Sequence, residues 1–121
     1  MKRIVRKNGY ILIGEGYWKQ PPSNEYLQAL GGTEESKLKS HAGNVNVAEE
    51  LGLVPLWSYV ASEDDWDDYE WLYSSSIENH CHENPDDSDC NAMLERIRTW
   101  RRTYLQWGRG TLGFGFYLFR N

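Results

Sequence analysis

The fold of this 121-residue chain is decided by the stretch Tyr10-Ile11-Leu12-Ile13-Gly14-Glu15-Gly16-Tyr17-Trp18-Lys19-Gln20-Pro21-Pro22. Its apolar beginning, without polar alternation, is typical of a strand that is buried on both faces in a sheet covered by helices. The two glycines around Glu15 allow a tight turn or a close backbone approach. Because ligands bind beyond the carboxyl ends of strands in open α/β sheets, Glu15, Tyr17 and Trp18 are candidate ligand contacts. The alternative is a strand exit whose aromatic side chains pack under the next helix.

The composition indicates one folded domain over residues 1–121. Hydrophobic residues make up 40% and aromatic residues 14% of the chain, which is enough to form a core. No apolar run approaches the roughly 20 residues of a membrane span. The basic N-terminus, Met1–Lys7, lacks the apolar segment of a signal peptide. The sequence therefore predicts a soluble, cytoplasmic protein with no membrane partner.

The charge balance argues against a nucleic-acid partner. The formal net charge is −5, although basic residues cluster at Lys2–Lys7 and Arg96–Arg102. Because phosphate contacts supply most of the affinity for nucleic acids, an acidic chain is poorly suited to that role. We interpret the arginine cluster as the solvated face of a helix.

The two cysteines, Cys81 and Cys90, offer a disulfide or part of a metal site. A disulfide would close a short loop, but two cysteines in a cytoplasmic chain are more often reduced, and reduced thiols are our expectation. His80-Cys81-His82 with Cys90 contains zinc-type ligands. Positions 80 and 82 face different sides of a helix, however, and the usual ligand spacings are absent. No metal site is predicted.

The first helix is expected at Asn24–Leu30, with Ser23 as its N-cap and Gly31-Gly32 as its end. Thr33–Ser40 is polar and is either a loop or a short helix. A second short helix follows, because apolar residues recur at three-residue steps at Val45, Ala48 and Leu51 before Gly52.

His41 precedes this second helix in a predicted loop. It is either a solvent-exposed or capping residue, or a contact to a ligand.

Leu53–Ala61 is predicted as a second apolar strand. Because proline cannot donate a ladder hydrogen bond, Pro55 indicates either an edge strand or the start of a strand. Ser62 then caps a long helix whose acidic first turn suits the helix dipole. One aromatic stripe on this helix is interpreted as core first and as a ligand wall second: Trp66, Tyr69, Tyr73 and Ile77.

The last helix is predicted from Asp89 to Trp107, with Gly108-Arg109-Gly110 ending it before a strand at Thr111–Arg120. The helix carries an apolar stripe of Met93, Ile97, Trp100, Tyr104 and Trp107. In the strand, Leu112, Phe114, Phe116 and Leu118 share one face, and Gly113, Gly115, Tyr117 and Phe119 share the other. The two glycines leave room there for close packing. Although residues 108–113 match G-x-G-x-x-G, they open a strand and not a helix, so they are no dinucleotide fingerprint.

Several segments together resemble class I S-adenosylmethionine-dependent methyltransferases. Asn8–Pro22 resembles the segment "PGG-x-LLIGEPYW", which forms the fifth strand of their sheet. Four later segments resemble, in order and spacing, the C-terminal half of one bacterial branch of that family: Gly52–Leu56, Ser62–Trp71, Glu83–Asp87 and Gly113–Arg120.

The resemblance implies an α/β, partial Rossmann-like three-layer fold. Its three-stranded mixed sheet would have the last strand antiparallel between the other two, with about four helices around it. S-adenosylmethionine would be the cofactor of the complete enzyme. The glycine-rich loop and the acid that hold this cofactor in the family have no counterparts in these residues, so the chain alone is assigned no cofactor and no cofactor-binding residue.

Two functions are compatible with this resemblance. The first is a fragment or subunit of a methyltransferase, inactive alone, that carries the substrate-side wall; its substrate contacts would be Glu15, Tyr17, Trp18, His41, Trp66 and Tyr69, and its catalytic residues are unknown. The second is a non-catalytic binding or dimerisation module that kept the fold and lost the cofactor site. In both, the Tyr10–Tyr17 strand edge is expected to lack its family partner, the fourth strand. It would pair with a second copy or with the missing N-terminal half, or be covered by the N-terminal residues.

Overall fold

The computed structural model describes residues 4–121, and Met1–Arg3, which begin the basic N-terminal cluster, lie outside the described residues. Its elements are, in order, β1 (Tyr10–Trp18), α1 (Asn24–Ala29), a 3-10 turn (Glu35–Lys37), α2 (His41–Glu50), β2 (Val54–Val60), α3 (Glu63–Glu83), α4 (Cys90–Thr103), a π-helical turn (Tyr104–Gly108), α5 (Arg109–Thr111) and β3 (Leu112–Arg120). They form two compact units. The sheet unit comprises the described residues up to Ala61 together with Thr111–Asn121, and the helical unit is Ser62–Gly110.

The sheet has the strand order β1-β3-β2, with β3 antiparallel to both neighbours. This arrangement confirms the predicted α/β fold and the insertion of the last strand between the other two. β2 lies at an edge, as Pro55 indicated, and the β2–β3 register shifts between Pro55 and Trp57. Such a bulge bends an edge strand and discourages further pairing along it.

The core of the sheet unit lies on one face of the sheet, against α2. It contains Ile11 from β1, Tyr117 and Phe119 from β3, and Ala48 and Leu53 from α2 and the residues after it. The alternation predicted for β3 is confirmed, because the residues of the glycine-bearing face are buried and those of the other face are more exposed.

The two glycines of β3 make room for tyrosine rings. The Tyr17 ring lies directly over its cross-strand partner Gly113, where a Cβ atom would collide with it. At Gly115 a Cβ atom would lie 2.6 Å from the Tyr117 hydroxyl. The close packing expected from the sequence is therefore between backbone and aromatic side chains.

The expectation that β1 and β2 are buried on both faces is wrong. Tyr10 and Leu12 of β1 are 67% and 61% exposed, and every residue of β2 is exposed. In β1 the physical reason is that α2 packs on one face of the sheet, so that Tyr10 and Leu12 on the other face are exposed. β2 is an edge strand and is exposed on both faces. Besides Tyr10 and Leu12, the exposed face of the sheet carries Trp57, Tyr59 and Phe116.

In the helical unit, the side of α3 that is buried is polar. Ser62 and Asp65 form a reciprocal capping box, as the sequence indicated for the start of this helix. The buried residues of α3 are Glu70, Ser74 and Cys81. Tyr69 and Tyr73 are instead 67% and 54% exposed, so the interpretation of the aromatic stripe as core is wrong for these two residues, whereas Trp66 and Ile77 are partly buried.

The polar side of α3 is buried because α4 supplies hydrogen-bond donors to it. Trp100 Nε1 donates to Glu70 Oε2 over 2.8 Å, and Arg101 donates to Ser74 Oγ over 2.9 Å. Arg98 donates twice to Glu78, over 2.7 and 2.8 Å. The arginines of α4 are thus only partly a solvated face, since these two hold α3 and α4 together. The pKa of the Glu70 carboxyl is raised by burial, against the hydrogen bond from Trp100.

Glycines follow the ends of α1 and α2 as predicted but do not end α4. Gly31, Gly32 and Gly52 have positive φ angles, which favour glycine after a helix. Gly108-Arg109-Gly110 remains helical as far as Thr111, through the π-helical turn and α5. A helical glycine costs about 1 kcal/mol. Opposing that cost, Arg109 binds Asp67 with three hydrogen bonds.

Cys81 and Cys90 form a disulfide, with their Cα atoms 5.6 Å apart. The expectation of reduced thiols is therefore wrong for this structure. The cause is the tight connection between helices, which brings the last turn of α3 beside the first residue of α4.

Among residues 4–121, no helix is both long and apolar enough to cross a membrane.

Replacing Gly113 by alanine tests the packing under Tyr17. The new methyl group would overlap the Tyr17 ring, so we expect Gly113→Ala to lower the free energy of unfolding by about 1 to 3 kcal/mol, the usual cost of overpacking. Urea unfolding followed by circular dichroism measures this change. Gly16→Ala is the matched control, because its Cβ atom would meet only the flexible Leu38 side chain at 3.3 Å. Equal losses in the two variants would contradict the packing argument.

Candidate functional site

Three rings meet near the carboxyl end of β1. The His41 ring lies between Tyr17 and Tyr117, with centroid distances of 5.3 Å to each. His41 Nδ1 lies 2.9 Å from the Tyr117 hydroxyl. Tyr17 is buried, and this burial is the main reason why its pKa is raised. The neighbouring Tyr117 phenol raises the pKa of Tyr17 further. Tyr17 is therefore a neutral phenol at physiological pH.

Asn44 completes this cluster, and the sequence analysis missed it. Its side-chain amide donates to the Tyr117 hydroxyl and to the Gly16 carbonyl, both over 3.2 Å. Because Tyr117 accepts from Asn44, its own proton is available to donate to His41 Nδ1.

The start of α2 brings His41 and Asn44 onto one side of the helix. Ser40 is the N-cap, and its hydroxyl accepts from the Gly43 amide over 3.0 Å. His41 is therefore the first residue of α2 and does not lie in a loop ahead of it, as the sequence analysis assumed. Asn44 follows three residues later, a spacing at which side chains on a helix are neighbours. This cap and spacing were the available sequence signals for Asn44.

Glu15 lines an open groove of about 310 Å³ that is bounded by β1, β3 and α2. The floor of the groove is apolar and includes Ala48, Tyr117 and Phe119. Its charged and polar lining residues are Glu15, Lys37, Lys39 and Asn44. An exposed carboxylate above an apolar floor can bind a cationic or hydrogen-bond-donating group of a small molecule.

Trp18 has structural contacts in the same unit. Its indole Nε1 donates to the Glu35 carbonyl over 2.8 Å, and its ring packs edge-on against Tyr26 at 6.2 Å. Its backbone amide also donates to the Lys39 carbonyl over 2.9 Å. Trp18 therefore holds the segment that carries Lys37 and Lys39, while a contact of its own to substrate stays a prediction.

Trp66 and Tyr69 belong to the helical unit. Tyr69 is exposed, and the buried indole Nε1 of Trp66 has no hydrogen-bond partner in the described part of the chain. The Trp66 ring lies 6.3 Å from the Tyr104 ring. The predicted grouping of these two residues with Glu15 in one substrate pocket stays a prediction.

Asp67, next to Trp66, is held by two donors. It accepts from the Tyr104 hydroxyl over 2.6 Å and from Arg109 Nε over 3.0 Å. The Arg109 and Tyr104 hydrogen bonds lower the pKa of Asp67, whereas burial and the Asp67 carboxylate raise the pKa of Tyr104. Asp67 is therefore a stable anion, and its hydrogen-bonding capacity serves the fold of the helical unit.

The groups gathered in the sheet unit are suited to binding. The Tyr17 phenol, the His41 imidazole and the exposed Glu15 carboxylate can orient a polar ligand near the carboxyl end of β1. No catalytic residue is assigned.

The chain was compared with known proteins. It is 27% identical over 116 residues to the uncharacterized protein YjhP of Escherichia coli (strain K12), and the match covers 95% of this chain and 47% of YjhP. The X-ray structure of YjhP superposes with a TM-score of 0.88 at 26% identity, over 98% of this chain and 48% of that one. No protein-family model matches the chain.

Two solved methyltransferase structures are similar to the chain. A SAM-dependent methyltransferase from Geobacter sulfurreducens, in complex with S-adenosyl-L-homocysteine, gives a TM-score of 0.87 at 25% identity, over 98% of this chain and 48% of that one. The corresponding complex from Thiobacillus denitrificans gives 0.85 at 22% identity, over 94% and 46%.

These comparisons confirm the resemblance seen in the sequence. The chain has the fold of the C-terminal half of a class I SAM-dependent methyltransferase. It spans about half the length of the curated relative and of the solved structures that it matches.

Removing the Tyr117 hydroxyl tests the hydrogen-bonded cluster. Tyr117→Phe leaves His41 without its partner and Asn44 with one acceptor fewer, so we expect a loss of about 1 to 2 kcal/mol in the free energy of unfolding. The His41 ring resonances should also shift and broaden in NMR spectra. Tyr10→Phe, at a tyrosine that is 67% exposed, is the control and should change neither quantity. An unchanged His41 spectrum in Tyr117→Phe would show that the hydroxyl does not hold the imidazole.

Proposed function

We propose that this chain supplies the substrate-side wall of a SAM-dependent methyltransferase and transfers no methyl group on its own. The observation that carries the proposal is the extent of the structural match. The match covers 98% of this chain but 48% of a methyltransferase whose structure was solved in complex with S-adenosyl-L-homocysteine. The other half of such an enzyme would have to supply the cofactor site.

The geometry of the sheet unit supports the substrate-side role. Glu15 lines an open groove, and His41 and Tyr17 stand at the carboxyl end of β1, where ligands bind in α/β sheets. The His41 imidazole is hydrogen-bonded to Tyr117, and the Tyr17 ring packs between His41 and Gly113, so the positions of both rings are set before a ligand arrives. Fixed polar groups bind a ligand with a smaller loss of conformational entropy.

The outer edge of β1 is the proposed contact for the missing half. The Lys19 amide donates to the Thr111 carbonyl, and the Asn121 amide donates to the Gly9 carbonyl. The backbone groups of odd-numbered β1 residues therefore point toward β3, and those of even-numbered residues point outward. At the carboxyl end of β1 the outward groups have partners. The Trp18 amide donates to the Lys39 carbonyl, and the Gly16 carbonyl accepts from the Asn44 side-chain amide. The backbone groups of Tyr10, Leu12 and Gly14 have no outward partner in residues 4–121. This makes them a template for a further strand.

A non-catalytic binding or dimerisation module is the second candidate. The exposed apolar sheet face, with Tyr10, Leu12, Trp57, Tyr59 and Phe116 all at least 39% exposed, favours it. An apolar surface of this kind commonly marks a protein contact. In this alternative a second copy of the chain covers the face and the free edge. The cytoplasmic location of the protein stays a prediction in both cases.

The first proposal is tested by titrating the purified chain with S-adenosyl-L-homocysteine in a calorimeter. We expect no saturable heat up to millimolar ligand. A chimera that joins the N-terminal half of the Geobacter sulfurreducens enzyme to residues 1–121 should fold and bind the ligand, because this chain would restore its missing sheet strands. Saturable binding by the chain alone would overturn the claim that it is incomplete, and a chimera that folds without binding would contradict the claim that this chain can complete such an enzyme.

The second candidate is tested by Leu12→Asp, which places a charge on the exposed face and beside the free edge of β1. If a second copy covers this surface, the variant should sediment as a monomer while the unmodified chain sediments as a dimer. Leu51→Asp is the control, because Leu51 is also exposed, at 59%, but lies at the end of α2. A monomeric unmodified chain at micromolar concentration would rule out the dimerisation module.

A further inference from the structure

Four metal-ligating side chains meet where α3 turns into α4. His80 Nε2, an Asp87 carboxylate oxygen and Cys90 Sγ all lie within 4.8 Å of one another. Cys81 Sγ is bonded directly to Cys90 Sγ. The helical unit therefore gathers one imidazole, one carboxylate and two sulfurs around a single point.

The sequence analysis dismissed zinc here because it paired the wrong residues. It considered His80 with His82, which lie on different sides of α3. In the structure the fourth group comes from the connecting segment: Asp87 lies 2.9 Å from His80, and His82 is absent from the cluster. The actual spacing is a His-Cys pair at the end of one helix and an Asp-x-x-Cys run at the start of the next.

We propose that this cluster binds a zinc ion when the disulfide is reduced, with His80, Cys81, Asp87 and Cys90 as its four ligands. One nitrogen, one oxygen and two thiolates make a set that Zn²⁺ accepts in tetrahedral geometry. Two sulfurs on one zinc lie roughly 3.8 Å apart, given Zn–S bonds of about 2.3 Å. Breaking the disulfide and rotating the two cysteine side chains would provide that separation.

The surroundings favour both the ion and its anionic ligands. His80 lies in the last turn of α3, where the helix dipole favours a cation. Cys90 is the first residue of α4, where the dipole favours a thiolate. The other Asp87 carboxylate oxygen accepts from the Asp89 amide over 2.9 Å, which holds the first oxygen toward His80. The sulfurs are buried, while His80 is half exposed and leaves a path for the ion.

The exchange between the two states balances with a dithiol reductant. A dithiol transfers two electrons and two protons to the Cys81–Cys90 bond, giving two thiols, and is itself oxidised to a disulfide. Zinc then replaces the two thiol protons, which pass to solvent. In either state the end of α3 is tied to the start of α4, by a disulfide when oxidised and by the metal when reduced.

The test uses the full chain and Co²⁺ as a spectroscopic substitute for Zn²⁺. The chain is reduced with a metal-free phosphine, freed of reductant and titrated without oxygen. We expect one equivalent of Co²⁺ to give a thiolate-to-metal charge-transfer band, which Zn²⁺ then abolishes. The oxidised chain should give no such band. A reduced chain without the band, or an oxidised chain with it, would overturn the proposal.

Two histidine variants locate the site. His80→Ala should weaken Co²⁺ binding at least about tenfold, since losing even an indirect support of a metal site costs that much. His82→Ala, at the exposed neighbouring histidine, should bind like the unmodified chain. Asp87→Asn serves as a second ligand variant if circular dichroism shows that His80→Ala is unfolded. Equal weakening in His80→Ala and His82→Ala would overturn the assignment of ligands.

Discussion

The Tyr117 hydroxyl connects the core of the sheet unit to the candidate site. The Tyr117 ring is 2% exposed and stacks on Phe119 with ring planes 4° apart. Its hydroxyl reaches His41 and Asn44, and Asn44 in turn reaches the Gly16 carbonyl. Because a buried hydroxyl must find partners, the position of α2 against the sheet is fixed by polar atoms as well as by apolar area. The imidazole of His41 is held by the same bond that satisfies the core.

Local signals in the sequence predicted the elements well, and long-range burial poorly. The strand at Leu112–Arg120 and the start of α3 at Ser62 depend on alternation and on a cap within a few residues. The burial of β1 depends instead on which helices cover it, and no local pattern reports that. The apolar run of Tyr10–Ile13 is the same whether both faces are covered or one.

The helical unit shows why a stripe of aromatic residues was misleading. Hydrophobicity predicted that Tyr69 and Tyr73 face inward, yet Trp100 and Arg101 of α4 donate to their polar neighbours Glu70 and Ser74. Glu70 is buried because its hydrogen bond from Trp100 compensates part of the desolvation of its carboxylate. In the same way, Cys81 and Cys90 meet because of how the two helices connect, which their separation in sequence does not reveal. Pairing between helices decided both outcomes.

The place of β3 between β1 and β2 decides when the sheet can form during synthesis. Neither outer strand has a ladder partner until the last strand has been made, because β1 and β2 each pair with β3. At about 5 to 20 residues per second, translation from Trp18 to Arg120 takes roughly 5 to 20 s. Throughout that interval the apolar β1 segment on the ribosome is an unpaired strand. The ladder hydrogen bonds of this sheet can therefore form only after β3 has been made, about a hundred residues after β1.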